Sequence, residues 1–574
     1  MKTIRLLKLV ITFLIFINGV CSAVEYVKSP PLSEVLKTGV IPCKEDTVTQ
    51  APIITWGGDM AAIYANGNQK NTVSNSIFGG LGLNLKLVRE DVFTNQVKSF
   101  MDCSSPYLRG TMGMINMAAE VLSTDQSVKP VVIYQLTWSS GGDALVVKDK
   151  IKSPQELKNK TIALQAYGPH VDYLTKVLTD AGLSIKDIAI KWVKDLTGSD
   201  NTPMSAFYED GVDAAMVIIP DAMALTSNGT VGSGAEDSVK GARILLSTKT
   251  ANRIISDVYA VRSDYLKNNR KKVESFVRGL TEGQKALAEL FKNKKNEGSK
   301  YQQMISASAG ILLDSAQAVG DAEGLYGDCE FVGFDGNVKF FSDKNYPRNF
   351  EHLTDEIQTA FVSLGLISKK ISIDQANWDY NTMQAGTSGT VKSAAAAKFD
   401  TEKVAKVVAK KQQQGTLNEG ALFSFEVYFQ PNQNTFPAEM YEDSFKKVIE
   451  LASTYGGAII TVEGHSDPLA YLKKKKEGAS PIVLTQIKQA AKNLSLTRAN
   501  SVRDSIIGFA KDKGINIDET QFTNIGYGIN QPKGGLCADD PCAPQSKQEW
   551  LDNMRVQFKI IQVEAEEVEF KDLQ

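Results

Sequence analysis

The chain has 574 residues, with 64 Lys plus Arg against 66 Asp plus Glu, so its formal net charge is −2. That length exceeds what one hydrophobic core organises, and two or three domains are expected. The balanced charge, with no basic stripe carrying interleaved aromatic residues, excludes a nucleic-acid-binding footprint.

The N-terminus has the layout of a secretory signal peptide. An apolar run over residues 9–17, too short for a transmembrane helix, follows three basic residues, Lys2, Arg5 and Lys8. Small residues before the mature chain predict cleavage after Ala23, which makes residues 1–23 the signal peptide. The alternative is a lipoprotein acylated at Cys21, although Asn18 and Val20 stand where a lipobox has an aliphatic and a small residue.

Strand-like and helix-like segments alternate from residue 45 to residue 385. The strand candidates are short apolar or β-branched runs at 53–56, 83–88, 108–115, 131–134, 161–165 and 214–219. Amphipathic patterns over 171–181 and 272–291 predict helices. This alternation indicates βαβ units, and we expect an α/β fold with mostly parallel sheets.

Three segments of this region carry a family resemblance: Ala144–Leu164, Gly211–Val217 with Pro220, and Ser256–Arg262. They resemble the second lobe and the return strand of type II periplasmic binding proteins of the nitrate/sulfonate/taurine and NMT1-like group. The resemblance implies a two-lobed solute-binding domain over 45–385, with the second lobe at about 143–250. It also implies an ABC-type uptake system with an ABC permease as partner, and a small anionic or zwitterionic solute.

Ligands of doubly wound lobes bind beyond the carboxyl ends of the strands. That rule predicts solute contacts from nine residues: Trp56, Asp59, Arg109, Thr111, Ser139, Ser140, Tyr167, Gly168 and His170. The loop before residue 171 opens a predicted helix, whose N-terminus offers unpaired N–H groups to an anion. Arg109 would add a positive charge to the site, or it would pair with Glu90 or Asp91 instead. Trp56 would form an apolar wall, with a core position as its alternative.

Residues 386–415 change in composition and are predicted to be an interdomain linker. Small polar residues give way to a run of alanines and then to the segment 400–411. This segment places Val404, Val407 and Val408 on one face, which predicts a short amphipathic helix within the linker.

The remaining residues, 416–566, contain an ordered set of motifs. Thr461–Pro468 predicts a strand ending in a loop that holds Asp467, and Leu494–Val502 predicts a helix start with Ser495 as N-cap and Arg498 one turn inside. Three further segments fit an opening, a third and a closing strand: Phe423–Asn432, Phe522–Pro532 and Asn553–Phe558. Together they resemble the OmpA C-terminal, peptidoglycan-binding domain. The resemblance implies an α+β domain with βαβαββ order.

The same resemblance implies a binding site for peptidoglycan. Asp467 would take the ammonium of a diaminopimelate side chain and Arg498 its carboxylate, with Ser466, Asn553 and Arg555 beside them. A guanidinium grips a carboxylate through two parallel charge-assisted bonds. The alternative is an internal ion pair between Asp467 and Arg498. Departures from the family pattern are Ser466, Ala470, Met554 and an insertion, about 472–493, that begins with four consecutive lysines.

The cysteines add one local prediction. Cys537 and Cys542 are closely spaced before the last strand, which suits a disulfide in an oxidising compartment. No second Cys or His pair accompanies them, so the spacing does not indicate zinc. The pairing of Cys43, Cys103 and Cys329 stays open.

An enzyme is not predicted. Only three histidines are present, none at a metal-ligand spacing, and neither a nucleophile elbow nor a Walker loop occurs. No metal and no cofactor are expected. The sequence therefore predicts a periplasmic solute-binding protein associated with the cell wall and outer membrane. The rival hypothesis is an envelope sensor or scaffold whose lobes dock on a membrane stress or signalling complex.

Overall fold

The computed structural model describes residues 24–44, 47–235, 237–386, 399–414, 417, 421–431, 433–434, 436 and 438–561. The predicted signal peptide and much of the predicted linker lie outside the described residues. We call residues 24–386 the front half and residues 399–561 the back half. No helix of the described residues has both the length and the apolarity to cross a membrane.

The front half contains thirteen strands and fourteen helices among its described residues. The strands are β1 (Tyr26–Val27), β2 (Thr49–Ile53), β3 (Leu85–Arg89), β4 (Tyr107–Thr111), β5 (Pro130–Ser139), β6 (Asp143–Val147), β7 (Thr161–Gln165), β8 (Ala189–Val193), β9 (Ala214–Ile218), β10 (Arg243–Ser247), β11 (Ser256–Arg262), β12 (Cys329–Phe331) and β13 (Asp374–Gln375). The helices are α1 (Leu32–Val35), α2 (Met60–Ala65), α3 (Ile77–Gly80), α4 (Phe93–Met101), α5 (Met112–Leu122), α6 (Val171–Asp180), α7 (Pro203–Phe207), α8 (Ile219–Leu225), α9 (Ser263–Lys292), α10 (Gly298–Leu312), α11 (Val319–Gly327), α12 (Gly333–Ser342), α13 (Phe350–Leu364) and α14 (Tyr380–Gly386).

Two larger sheets organise this half. A six-stranded sheet has the order β1-β8-β7-β9-β6-β10, and a five-stranded sheet has the order β12-β5-β11-β4 with β13 beside β5. The expectation of mostly parallel sheets is wrong. Strands β6 and β11, which carry the chain into and out of the six-stranded sheet, pair antiparallel with all their neighbours. Neither follows a crossover helix, so nothing makes them run parallel.

One predicted strand is half helix. The segment 108–115 forms β4 only as far as Thr111, and α5 begins at Met112. The Thr111 hydroxyl accepts a hydrogen bond from the Met114 N–H at 3.1 Å. This N-cap satisfies a free donor of the first turn and ends the strand.

The back half has a single four-stranded sheet. Its described strands are β14 (Ala421–Tyr428), β15 (Ile459–His465), β16 (Phe522–Gly528), β17 (Leu536–Cys537), β18 (Asp540–Pro541) and β19 (Arg555–Ile561), and its helices are α15 (Thr401–Gln414), α16 (Glu442–Thr454), α17 (Leu469–Lys476), α18 (Pro481–Asp512) and α19 (Lys547–Asp552). The sheet order is β14-β19-β15-β16, with β15 and β16 parallel. The short β17–β18 hairpin stands apart.

Two helices of the back half differ from expectation. Helix α18 begins at Pro481, where the Ser480 side chain accepts from the Val483 N–H, so Ser495 lies in mid-helix and its predicted N-cap role is wrong. The inserted residues are themselves helical and continuous with the 494–502 motif. Helix α15 was expected within a linker, but Val404 and Val408 are buried in a cluster with strands of the back sheet.

The two halves are packed together. Lys176 on α6 pairs with Glu450 on α16 at 2.6 Å, and the Tyr455 hydroxyl donates to Asp180 at 2.9 Å. The segment 249–253 joins β10 to β11 and so links the two large sheets. Its backbone is also bonded to the back half, because the Gly457 N–H donates to the Thr250 carbonyl at 3.1 Å.

Four of the cysteines form disulfides. Cys537 is joined to Cys542 across the β17–β18 hairpin, and Cys43 is joined to Cys103. Cys329, at the start of β12, is free.

Candidate functional site

The predicted solute contacts of the front half lie mostly where the two large sheets meet. Arg109, on β4, is fully buried between two carboxylates. Its Nη2 lies 2.9 Å from Asp59 Oδ2, and its Nη1 lies 2.8 Å from Asp257 Oδ1. Asp59 follows β2 in a turn of 3₁₀ helix, and Asp257 lies on β11, the neighbour of β4. The predicted pairing of Arg109 with Glu90 or Asp91 is therefore wrong. The prediction that its guanidinium is free to add a positive charge to the solute site is also wrong.

The carboxylates around Arg109 belong to a longer polar chain. Asp257 Oδ2 accepts from the Thr137 hydroxyl at 3.0 Å, and Thr137 Oγ1 accepts from the Trp56 indole N–H at 3.1 Å. Burial raises the pKa of Asp59 and of Asp257, and Arg109 acts against that rise. The arrangement holds one cation between two anions, so its net charge is negative when both carboxylates are ionised.

A second polar cluster lies at the crossover between the sheets. Asp143, the first residue of β6, accepts from the Ser139 hydroxyl at 2.6 Å and lies 2.6 Å from His170 Nε2. Ser139 Oγ also lies 2.9 Å from the Thr248 hydroxyl oxygen, within hydrogen-bond distance. Ser139, His170 and Thr248 are fully buried, so this cluster links the end of β5, the start of α6 and the return segment in a dry environment.

Further carboxylates surround this cluster. Burial, together with the charge of the nearby Asp143, raises the pKa of Asp328 to about 6. Burial also raises the pKa of Asp221, on α8, to about 6, while His170 acts in the opposite direction. The surroundings of the crossover are thus acidic, with the exposed Lys249 as a cation acting on Asp328.

The chain itself covers the crossover. Trp56 lies against Gly142 so closely that a Cβ there would meet the indole at 2.5 Å. The Ser140 N–H donates to the Asp328 carbonyl at 2.8 Å, and β12 pairs with the last residues of β5. Trp56 is half-buried and packs against Gly142 at the crossover, and its role as an apolar wall for a solute stays a prediction.

Three predicted contacts are used elsewhere. The Thr111 hydroxyl caps α5, as described above. The Tyr167 hydroxyl donates to the Pro30 carbonyl at 2.7 Å, which points this ring toward the N-terminal segment. Gly168 packs on the side chain of Gln165, where a Cβ would lie 2.2 Å from the amide oxygen.

Sequence reasoning missed Asp143, Asp257, Asp328 and Thr248. Asp143 closes the loop 138–143 that the strand-end rule had selected, so its position carried a signal. Asp257, Asp328 and Thr248 reach the site only through pairings over 100 residues or more along the chain, for which a single sequence offers no sign.

The back half brings Asp467 and Arg498 to the same end of its sheet. Asp467 follows β15 directly, and the Arg498 Nη1 donates to the His465 carbonyl at 3.4 Å. The Arg498 Nε donates to the Gln433 carbonyl at 2.7 Å, and its Nη2 to the Gln430 carbonyl at 3.4 Å. Burial lowers the pKa of Arg498 to about 10, and the charge of Asp467 acts in the opposite direction. The predicted internal ion pair is replaced by carbonyl contacts.

Arg498 is only 1% exposed in this arrangement, whereas Asp467 is half-buried. Asp467 Oδ1 accepts from the Leu469 N–H at 2.8 Å, so one carboxylate oxygen is used locally. The carbonyl oxygens of Gln430 and Gln433 therefore occupy donors of Arg498 that a ligand carboxylate would use.

The other three residues predicted for this site have internal partners. The Ser466 hydroxyl donates to the Ala491 carbonyl at 3.1 Å, and Asn553 Oδ1 accepts from the Lys533 N–H at 2.8 Å. Arg555 Nε lies 3.2 Å from Glu426 Oε1. These contacts position the loops around the Asp467 end of the sheet.

Comparison with known proteins gives a family match for part of the front half. Residues 110–290, less than half of the chain, match the family model described as NMT1/THI5 like. No curated protein matches the sequence at a significant level.

Solved structures also resemble the chain at low identity. The periplasmic aliphatic sulphonate binding protein SsuA from Escherichia coli has 15% identity and a TM-score of 0.39, with 57% of this chain and 91% of that chain covered. The periplasmic nitrate-binding protein NrtA from Synechocystis PCC 6803 has 13% identity and a TM-score of 0.38, covering 60% and 86%. The desulfurization enzyme DSZB has 14% identity and a TM-score of 0.37, covering 59% and 99%.

Proposed function

We propose that the protein is a periplasmic solute-binding protein, exported by its N-terminal signal, whose front half recognises a small solute. The observation that carries this proposal is the concentration of buried polar residues at the crossover between the two large sheets. Four of them, Ser139, Asp143, His170 and Thr248, lie within the region matched by the NMT1/THI5-like family model. Buried polar groups of this kind are costly for stability unless they are paired, and they cluster at binding sites. An ABC permease is the proposed partner.

Charge narrows the class of solute. Arg109 is already neutralised by Asp59 and Asp257, and Asp143 and Asp328 add negative charge. A bare anion would meet repulsion from these carboxylates, whereas a zwitterion would place its ammonium among them and its acidic group near the start of α6. Of the two predicted solute classes, the geometry therefore favours the zwitterionic one.

A thermal-shift screen of the exported protein tests this proposal. Zwitterions such as taurine and α-amino acids are compared with nitrate, alkanesulfonates and phosphate. A zwitterion at 100 times its dissociation constant should stabilise the front half by about 2.7 kcal/mol. Asp143→Asn is expected to remove that shift. Stabilisation by bare anions alone would refute the charge argument.

A scaffold is the second candidate function, and one observation favours it. Trp56 and the segment 325–331 already fill the crossover where a solute would bind. In that case no zwitterion and no anion would shift the melting temperature, and the protein would instead be recovered bound to an envelope complex after crosslinking.

For the back half we propose peptidoglycan binding through Asp467 and Arg498, which associates the protein with the cell wall. Support comes from the motifs and from the succession of strands and helices, strand–helix–strand–helix–strand–strand, with α17, the β17–β18 hairpin and α19 as additions. A further support is electrostatic. Arg498 is a buried cation held by carbonyl oxygens, and a ligand carboxylate would supply the counter-charge that these neutral partners lack.

Co-sedimentation of the full-length protein with insoluble peptidoglycan tests the anchor. Asp467→Ala removes a charged partner, and Arg498→Lys keeps the charge but removes the guanidinium that bonds a carboxylate through two parallel donors. Each variant should reduce binding at least about tenfold, because a hydrogen bond to a charged group is worth about 1.4 kcal/mol or more. Arg503→Lys is the matched control, since Arg503 lies on the same helix and pairs with the adjacent, exposed Asp504. Equal retention of all four proteins would remove the site assignment.

A further inference from the structure

The insertion between the two back-half motifs forms a helical hairpin. Helix α17 ends at Lys476, the chain turns at Gly478 with φ of +77°, and α18 begins at Pro481 behind its Ser480 N-cap. A glycine takes this left-handed conformation without strain, and a proline suits the first position of a helix. We call residues 473–483 the hairpin tip.

The hairpin is fixed to the back half from one side. The Tyr471 side chain is buried, and its hydroxyl donates to Asp540 Oδ1 at 2.6 Å on the β17–β18 hairpin. Lys475 pairs with the same Asp540, and Lys488 on α18 lies over the Tyr471 ring. The Cys537–Cys542 disulfide closes the hairpin that carries Asp540. The tip is therefore held in one place relative to the sheet.

The tip combines positive charge with exposed aliphatic side chains. Lys473, Lys474, Lys475 and Lys476 are all exposed, and Glu477 is the one acidic residue in the tip. Ile482 is 72% exposed and Val483 is 38% exposed, and both lie in the first turn of α18. An aliphatic side chain left in water beside several lysines lacks the burial that normally accompanies an isoleucine in a folded domain.

We propose that this tip docks on an anionic phospholipid surface. Lysines attract the acidic headgroups, and Ile482 and Val483 enter the boundary between headgroups and acyl chains. A soluble polyanion would satisfy the lysines and leave the two aliphatic side chains in water, which is why the apolar residues favour a lipid surface. Helix α17 begins two residues after Asp467 and leads to the tip at its other end, about 12 Å along the helix axis. The docking surface is therefore separate from the proposed peptidoglycan site and does not depend on it.

Vesicle co-sedimentation of the exported protein tests this inference. Vesicles containing phosphatidylglycerol are compared with vesicles of pure phosphatidylcholine. Lys473, Lys474 and Lys476 are replaced by Gln, and Lys475 is kept because it pairs with Asp540. At about fivefold per lysine near an anionic surface, binding should fall roughly a hundredfold. The matched control replaces three exposed lysines of the front half, Lys267, Lys271 and Lys272, and should bind like the unchanged protein.

A second variant, with Ile482→Ser and Val483→Ser, separates lipid from polyanion. It keeps every charge and should lose about tenfold in binding to phosphatidylglycerol vesicles. Unchanged melting temperatures of both variants would show that the fold is intact. The inference is overturned if the unchanged protein does not bind phosphatidylglycerol vesicles. It is also overturned if the tip lysine variant binds as well as the front-half control variant, or if the serine variant binds as well as the unchanged protein.

Discussion

Replacing Arg109 by Met is expected to destabilise the front half strongly. The guanidinium is fully buried and lies between Asp59 and Asp257, which are 0% and 3% exposed. The substitution keeps most of the side-chain volume and leaves two buried carboxylates without their cation. Breaking a buried pair from one side costs about 3–5 kcal/mol. At about 2 °C per kcal/mol for a large domain, the melting temperature should fall by roughly 6–10 °C.

The pH dependence of this loss has a defined sign. Burial already raises the pKa of Asp59 and Asp257, and removal of Arg109 raises both further. A carboxyl whose pKa is higher in the folded than in the unfolded state takes up a proton on folding, so its penalty grows as pH rises above the unfolded pKa. The difference between Arg109→Met and the unchanged protein should therefore be largest near pH 8 and smaller near about pH 5.

A triple variant provides the decisive comparison. Adding Asp59→Asn and Asp257→Asn to Arg109→Met removes the stranded charges and should recover most of the lost stability at neutral pH. Arg503→Met is the control, because an exposed pair contributes about 0–1 kcal/mol. Circular dichroism melting curves at several pH values provide the measurement. A loss below 1 kcal/mol in the single variant, or no recovery in the triple variant, would refute the reasoning about the buried triad.

Three further predictions follow from buried contacts. Cys103→Ser opens the bond to Cys43 across a separation of 60 residues and should cost about 4 kcal/mol of chain-entropy stabilisation, read from urea unfolding of the oxidised protein. Burial raises the pKa of Asp172 to about 8, so Asp172→Asn should stabilise the protein by up to about 4 kcal/mol at pH 7, with an advantage that disappears toward pH 4 in thermal melts. Tyr455→Phe leaves Asp180 without one donor and should cost about 1–3 kcal/mol; an unchanged unfolding midpoint by tryptophan fluorescence would count against the described contact between the halves.

Local sequence signals located many elements of the front half. The run Thr161–Gln165 coincides with β7, and Ser256–Arg262 coincides with β11, because turn-forming residues bound both apolar runs. The segment 108–115 shows where this fails. Its apolar residues fit a strand and a helix equally, and the boundary depends on the Thr111 cap, which is a matter of side-chain geometry.

The helical insertion of the back half has a short apolar stripe that was not recognised as a helix. Leu484, Ile487 and Ala491 stand at helical spacing and are half-buried on α18, while most residues around them are exposed. The segment was interpreted as an insertion between two motifs, and so its continuity with the 494–502 helix was missed. The apolar pattern told more about α15, because the face formed by Val404 and Val408 was recognisable in the sequence. The surface that receives this face was not recognisable, because three of the four receiving strands, β15, β16 and β19, lie more than 50 residues further along the chain.

The candidate site was only half predictable for the same reason. The strand-end rule found Trp56, Asp59, Ser139 and His170, which the structure does place around the crossover. It could not show that Asp257 pairs with Arg109, because the two residues are 148 positions apart in the sequence. A charged residue at a strand end therefore indicates a polar site. Whether that charge is free to bind a ligand or is neutralised by another side chain depends on long-range pairing.

The bond between Gly457 and Thr250 has a mechanical consequence. Residues 249–253 lie in the connection that joins the two large sheets, and this connection is bonded to the half of the protein that is proposed to bind the cell wall. A Cβ on Gly457 would lie 1.8 Å from the Lys249 carbonyl oxygen, so the backbones touch there with no side chain between them. Any displacement of one large sheet relative to the other that moved this connection would therefore also displace the Gly457 turn of the back half.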